Sequence, residues 1–128
     1  METFIDFESD LFAPYLPDDA QVNPGVFGAE LTFWLSRQLA LRGVMTSYPA
    51  YEDWGWFIEY RTEDGHEYWL RCTNRDEARD KWRCHLEPKA KGLFGRNKAP
   101  VDAARPLLQA LREVLAQEPA IGSIDWKA

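Results

Sequence analysis

Apolar residues recur with two different periods along this chain, and the switch between them outlines the fold. Phe27, Leu31, Trp34, Leu35 and Leu39 recur at helical spacing, which predicts a helix. Asn23-Pro24 precedes the stripe as cap and first helical residue, and Gly43 follows it as a stop. Phe33 and Leu41 lie off the stripe, which predicts a helix covered on more than one side. From residue 44 to residue 87 the period drops to two. A short strand is expected near Val44–Ser47, ended by Pro49. In the next strand Trp54, Trp56, Ile58 and Tyr60 alternate with Gly55, Phe57, Glu59 and Arg61. A returning strand sets Tyr68, Leu70 and Cys72 against Trp69, Arg71 and Thr73. A third directs Trp82, Cys84 and Leu86 inward and Lys81, Arg83, His85 and Glu87 outward. Helical spacing then returns in Val101, Ala104, Leu107, Leu108, Leu111, Val114 and Leu115. Asp102 is the expected cap, Pro106 lies in the first turn and Pro119 ends the helix. Ile121, Ile124 and Trp126 suit a short closing strand or a tail laid on the core.

Glu63-Asp64-Gly65 is a hairpin turn, and its length sets the register. A three-residue loop places Tyr60 opposite Tyr68, Ile58 opposite Leu70 and Trp56 opposite Cys72. A two-residue Asp64-Gly65 turn sets Tyr60 against Trp69 and moves side chains to the wrong face, so the longer, bulged loop is expected. The predicted fold is a two-layer α+β domain over residues 23–128: helix, antiparallel meander of three to four strands, helix. Residues 1–22 carry Phe4, Phe7, Leu11, Phe12, Tyr15 and Leu16 without a clean period, and two prolines, Pro14 and Pro17. They read as an irregular acidic arm packed on the body.

A chain of 128 residues with 45% hydrophobic residues is long enough to fold on one core without disulfides or metal. Its net charge of −6 disfavours a general nucleic-acid binder, whose affinity comes largely from neutralising phosphates. The charge is uneven. Glu2, Asp6, Glu8, Asp10, Asp18, Asp19 and Glu30 precede the first basic residue, Arg37, whereas Lys89, Lys91, Arg96 and Lys98 fall in ten residues without an acid. No basic-then-apolar leader is present at the N-terminus and no apolar run is long enough to span a membrane. Together with only two cysteines, Cys72 and Cys84, this points to the cytoplasm.

The segment "YEDWGWFIEY", residues 51–60, concentrates aromatic and acidic groups. Packing of a strand under helices accounts for the alternation of Trp54, Trp56, Ile58 and Tyr60. Gly55 between two tryptophans marks a bulge or room for a large neighbour. The functional reading is a partner face formed by Glu52, Asp53 and Trp54, since tryptophan beside carboxylates suits cations and protein hot spots. Catalysis by Glu52 and Asp53 is disfavoured, because adjacent strand residues point to opposite faces and cannot flank one bond. Cys72 and Cys84 come near each other across a hairpin as buried thiols. His66, in a turn, is too far to complete a zinc site with His85, and no CxxC or HxxxH spacing is present. No nucleophile motif occurs. Neither a metal nor a cofactor is expected. The segment "KAKGLFGRNKAP" is a basic loop in which Lys91, Phe94 and Arg96 suit a partner-docking or membrane-touching finger or a plain surface loop. It lacks the phosphate-loop spacing, and its GxxG does not join two helices as an RNA-clamping loop does.

With "EDWGW" and "GLFGR" as its distinctive words, the layout resembles small bacterial cytoplasmic α+β proteins, some of them toxin-immunity proteins. That resemblance implies stoichiometric binding of a basic toxin site by acidic groups, and it carries no residue role across. The leading expectation is a non-enzymatic domain that binds a basic protein partner through Glu52, Asp53 and parts of the arm. Two alternatives stand beside it. One is a small-molecule-binding domain or minor enzyme with a pocket between sheet and helix lined by Trp54, Trp56 and Tyr68. The other is a homodimer joined through an edge strand or the arm.

Overall fold

The computed structural model describes residues 2–21, 23–89 and 99–128. Six antiparallel strands form one sheet: β1 (Phe4–Glu8), β2 (Ala50–Glu52), β3 (Gly55–Arg61), β4 (Glu67–Asn74), β5 (Lys81–Pro88) and β6 (Gly122–Lys127), in the order β2-β3-β4-β5-β1-β6. Helix α1 (Ala29–Leu41) follows β1, and α2 (Arg105–Gln117) precedes β6. The fold is α+β, with more strands than the three to four that periodicity predicts. Both helices share one core with the inward sides of the strands. Leu31, Leu35 and Leu39 from α1 join Leu107, Leu111 and Leu115 from α2 over Ile5, Ile58, Leu70, Trp82, Cys84 and Leu86. The alternating burial along β4 and β5 is what a sheet covered on one side requires.

The meander has the register that the three-residue loop dictates. Tyr60 lies opposite Tyr68, Ile58 opposite Leu70 and Trp56 opposite Cys72. Thr62 donates its backbone N–H to the His66 carbonyl at 2.9 Å, and Gly65 takes φ +89°, a left-handed position that favours glycine. Cys72 and Cys84 are directly opposed, free and buried, with their sulfurs 3.8 Å apart.

Five expectations are corrected. The arm is not irregular throughout, since Phe4–Glu8 forms β1 between β5 and β6, with Ile5 and Phe7 fully buried. The edge strands are therefore β2 and β6. Helix α1 starts at Ala29 rather than at Asn23-Pro24. Val26 N–H donates to the Asn23 carbonyl at 3.1 Å with Gly25 at φ +75°, so Pro24-Gly25 occupies the centre of a β-turn in which Pro precedes a positive-φ Gly. The helix is entered instead at Gly28, φ +146°, where a Cβ would stand 2.3 Å from the Cys72 carbonyl oxygen. The strand expected near Val44–Ser47 is β2, Ala50–Glu52, because a two-residue Asp53-Trp54 turn pairs Glu52 with Gly55. Ser47 still caps the β3 edge: its N–H donates to the Glu59 carbonyl, and its Oγ accepts the Glu59 N–H at 2.8 Å. Finally, Asp102 is not the cap of α2. Val101–Ala104 is a 3-10 turn leading into Arg105. Phe33 and Leu41 remain exposed, so α1 is covered on one side only.

Candidate functional site

Two regions outside the core hold aromatic and charged side chains together. The first is the sheet face opposite the helices. Phe57 and Trp69 rings lie 4.6 Å apart, and Trp54 packs on both, at 5.6 Å and 6.2 Å. Arg71 stacks 4.1 Å over Trp54 and pairs with Glu87 at 2.6 Å. Trp69 Nε1 donates to Glu59 at 2.9 Å, and Lys89 lies between Glu59 and Glu67 at 3.5 Å and 3.6 Å. Phe4 stacks flat on His85 at 3.8 Å.

Farther along the same face, Asp6 is only 3% exposed. It accepts a two-pronged pair from Arg83 at 2.6 Å and 2.9 Å and a third bond from Lys127 at 2.9 Å. The Arg83 hydrogen bond outweighs the penalty of burial and, with Lys127, holds the Asp6 carboxyl down to about 2. The same pair raises the Arg83 pKa. His85 is pushed below its ordinary value, first by burial and then by Arg71 and Arg83, against the pull of Glu87. This face is closed on itself, with each of these cations already matched to a carboxylate.

The second region lies at the β2 edge. Ala50, Tyr51 and Glu52 are all exposed. A groove of about 430 Å³ runs between residues 16–21, the start of α1 and the β2–β3 hairpin, lined by Leu16, Glu30, Tyr51, Asp53 and Trp56 among others. The Tyr51 and Trp56 rings meet at 5.2 Å with 56° between their planes, so they form an angled corner. Phe33 of α1 packs on the far side of Trp56 at 6.4 Å and is itself 50% exposed. Among the described residues, Glu30 accepts only a long 3.5 Å bond from the Tyr15 N–H. The Asp53 carbonyl accepts from Asn23 Nδ2, which pins the hairpin tip. Among the described residues, Glu30, Glu52 and Asp53 make no ion pair. Tyr48 and Met45, at 91% and 69% exposure, extend the apolar edge beside a second cleft along α1.

The structure therefore divides the trio Glu52, Asp53 and Trp54. Asp53 lines the groove, and Glu52, paired with Gly55, stands exposed on the uncovered-face side of the edge strand. Trp54 does not continue the inward row of Trp56, Ile58 and Tyr60. As a turn residue it is released from the pleat, and its ring lies with Phe57 and Trp69. Gly55, at φ +141°, makes room for the Thr73 methyl, which a Cβ would meet at 2.5 Å. Nor do Trp54, Trp56 and Tyr68 line one pocket. Tyr68 is wholly buried, with its hydroxyl donating to the Pro100 carbonyl, and Trp54 is on the opposite face. The basic-loop residues Lys91, Phe94 and Arg96 lie outside the described residues. Pattern reading missed Glu30 and Tyr51 as site residues, although the off-stripe Phe33 marked this side of α1.

Among the described residues, no three His, Cys, Asp or Glu side chains converge as a metal site requires, and no helix is long and apolar enough to cross a membrane. The hydrogen bond to Cys72, and then burial, raise the Cys84 thiol well above its ordinary pKa, which keeps it from acting as a nucleophile at neutral pH. No protein-family model matches the chain, and no curated protein or solved structure matches it either.

Proposed function

We propose that this chain is a non-enzymatic protein-binding domain, of the immunity type, that covers a basic surface on its partner with the β2 edge. The observation that carries the reading is the juxtaposition of exposed apolar surface and unmatched acids in one place. Tyr51 is 61% exposed and meets Trp56, on which Phe33 also packs, and Glu30 and Asp53, which line the same groove, lack ionic partners among the described residues, as does Glu52 on the other side of the strand. Aromatic anchors near the centre of a patch, with charges that steer the approach, are the usual composition of a specific interface. The uncovered sheet face offers aromatics as well, but its cations are neutralised from within the chain, which weakens its attraction for a charged partner.

The test is an affinity capture from a lysate of the source cells, with wild type beside Asp53→Lys. The reading expects one stoichiometric protein, at least about tenfold less of it on the variant, because a like-charge contact replaces an attractive one. Equal capture by the two proteins contradicts this placement. A small cationic molecule in the same groove is the second reading, favoured by the groove's size. It predicts thermal stabilisation by a metabolite fraction without capture of a protein.

A further inference from the structure

We propose that the groove at the β2–β3 hairpin is a receptor for an arginine side chain presented by the partner; this deepens, and rests on, the protein-binding reading. The argument comes from how this chain treats its own tryptophans. Arg71 lies 4.1 Å over Trp54 and pairs with Glu87 at 2.6 Å. Arg112 lies 3.8 Å over Trp126 and pairs with Glu2 at 3.0 Å. Lys89 lies 6.0 Å over Trp69 and 3.5 Å from Glu59, which Trp69 also donates to. In each case an indole face and a carboxylate hold one cation between them. Trp56 has the same surroundings without the cation. Its groove is lined by the carboxylates Glu30 and Asp53 and by a second ring, Tyr51, and among the described residues no basic side chain lines it.

The groove's chemistry selects among cations. A guanidinium is planar, weakly hydrated and able to stack on one wall of the Tyr51–Trp56 corner while its N–H groups reach a carboxylate. Leu16, Ala20 and Ala29, which also line the groove, suit the aliphatic stem. An ammonium is more strongly hydrated and cannot stack, so lysine is the poorer guest. A partner loop carrying arginine would thus complete a fourth arrangement of the kind the chain builds three times for itself.

The experiment is a titration of the full, ¹⁵N-labelled chain with N-acetyl-Gly-Arg-Gly-amide, followed in the backbone and indole N–H signals. Citrulline and lysine replace arginine in two control peptides. The proposal expects saturable shifts centred on Tyr51, Asp53 and the Trp56 indole. Binding of the citrulline peptide should be about tenfold weaker or absent. The shifts should disappear in the Glu30→Gln/Asp53→Asn variant, whose remaining spectrum matches wild type because Asp53 is exposed and the half-buried Glu30 gives way to an isosteric amide that still accepts from Tyr15. Shifts that are equal for citrulline, that centre on Trp54 and Trp69, or that never saturate would overturn it. If a captured partner depends on Asp53 and the arginine peptide leaves the groove unshifted, the arginine receptor falls and the protein-binding reading survives. If the peptide seats in the groove and no partner depends on Asp53, the groove's selectivity for a guanidinium stands, while its presentation by a protein partner, and with it the protein-binding reading, falls.

Discussion

The uncovered sheet face and the groove at the β2 edge use the same side-chain types, indole, carboxylate and exposed ring, but they differ in how those groups are matched. On the sheet face Arg71, Arg83, Lys89 and Lys127 come from strands β4 to β6 and the residue after β5, and each finds a carboxylate across the ladder. In the groove Glu30 and Asp53 meet rings and, among the described residues, no cation. Opposite charges set across strands stabilise the fold. Unmatched acids beside exposed aromatics contribute little to it and remain available to something else. Stability and binding should therefore respond to mutation in opposite places.

The largest expected effect is at the entry to α1, where the helix meets the sheet. Gly28→Ala places a Cβ 2.3 Å from the Cys72 carbonyl at φ +146° and so forces α1 off β4. A loss of about 3 kcal/mol or more in urea unfolding is expected, and a loss below about 1 kcal/mol would show that the backbone can shift cheaply there. Next comes Asp6→Asn on the sheet face. It leaves Arg83 and Lys127 without their carboxylate and should cost about 2 kcal/mol at pH 7, softened because both cations reach solvent.

The sign of the pH dependence follows from Asp6. Its folded pKa of about 2 lies below the ordinary 3.8. The contribution is therefore fully present above the ordinary value and is lost as pH falls through about 2. The gap between wild type and Asp6→Asn should shrink correspondingly from pH 6 to pH 2, and a gap that stays constant would contradict the pairing. Arg71→Gln should cost about 1 kcal/mol through lost stacking on Trp54 and loss of the Glu87 pair. Smallest of all is Asp53→Lys, expected to change stability by less than about 0.5 kcal/mol by thermal unfolding.

Much of the meander was legible because its signals are local. Loop length and alternation around Glu63-Asp64-Gly65 fix which residues of β3 and β4 face each other, and the same holds for the strong stripe of α2. Strand β1 was not legible as a strand. In "FIDFE" Asp6 looks like a solvated acid, yet its partners Arg83 and Lys127 lie 77 and 121 residues away. Asn23-Pro24 fits a helix start and a turn equally well until Gly25 is weighed, and the turn wins. Trp54 misled because period-two counting was carried one residue past the strand into a turn. Of the groove, Asp53 was singled out as a partner contact and Trp56 as a pocket wall, the latter with companions, Trp54 and Tyr68, that do not share its cavity. Tyr51, Asp53 and Trp56 share one hairpin, but Glu30 joins them from α1 and Leu16 from the N-terminal segment, and no local spacing announces that meeting.

The central claim is that binding lives at the groove and stability on the sheet face. The most direct test compares wild type, Asp53→Lys and Arg71→Gln in one quantitative capture experiment, against whichever stoichiometric partner the wild type retains. The account predicts that Asp53→Lys loses the partner by at least about tenfold at unchanged melting temperature, while Arg71→Gln melts earlier and keeps it. Retention by Asp53→Lys with loss by Arg71→Gln would place the interface on the sheet face and contradict the account.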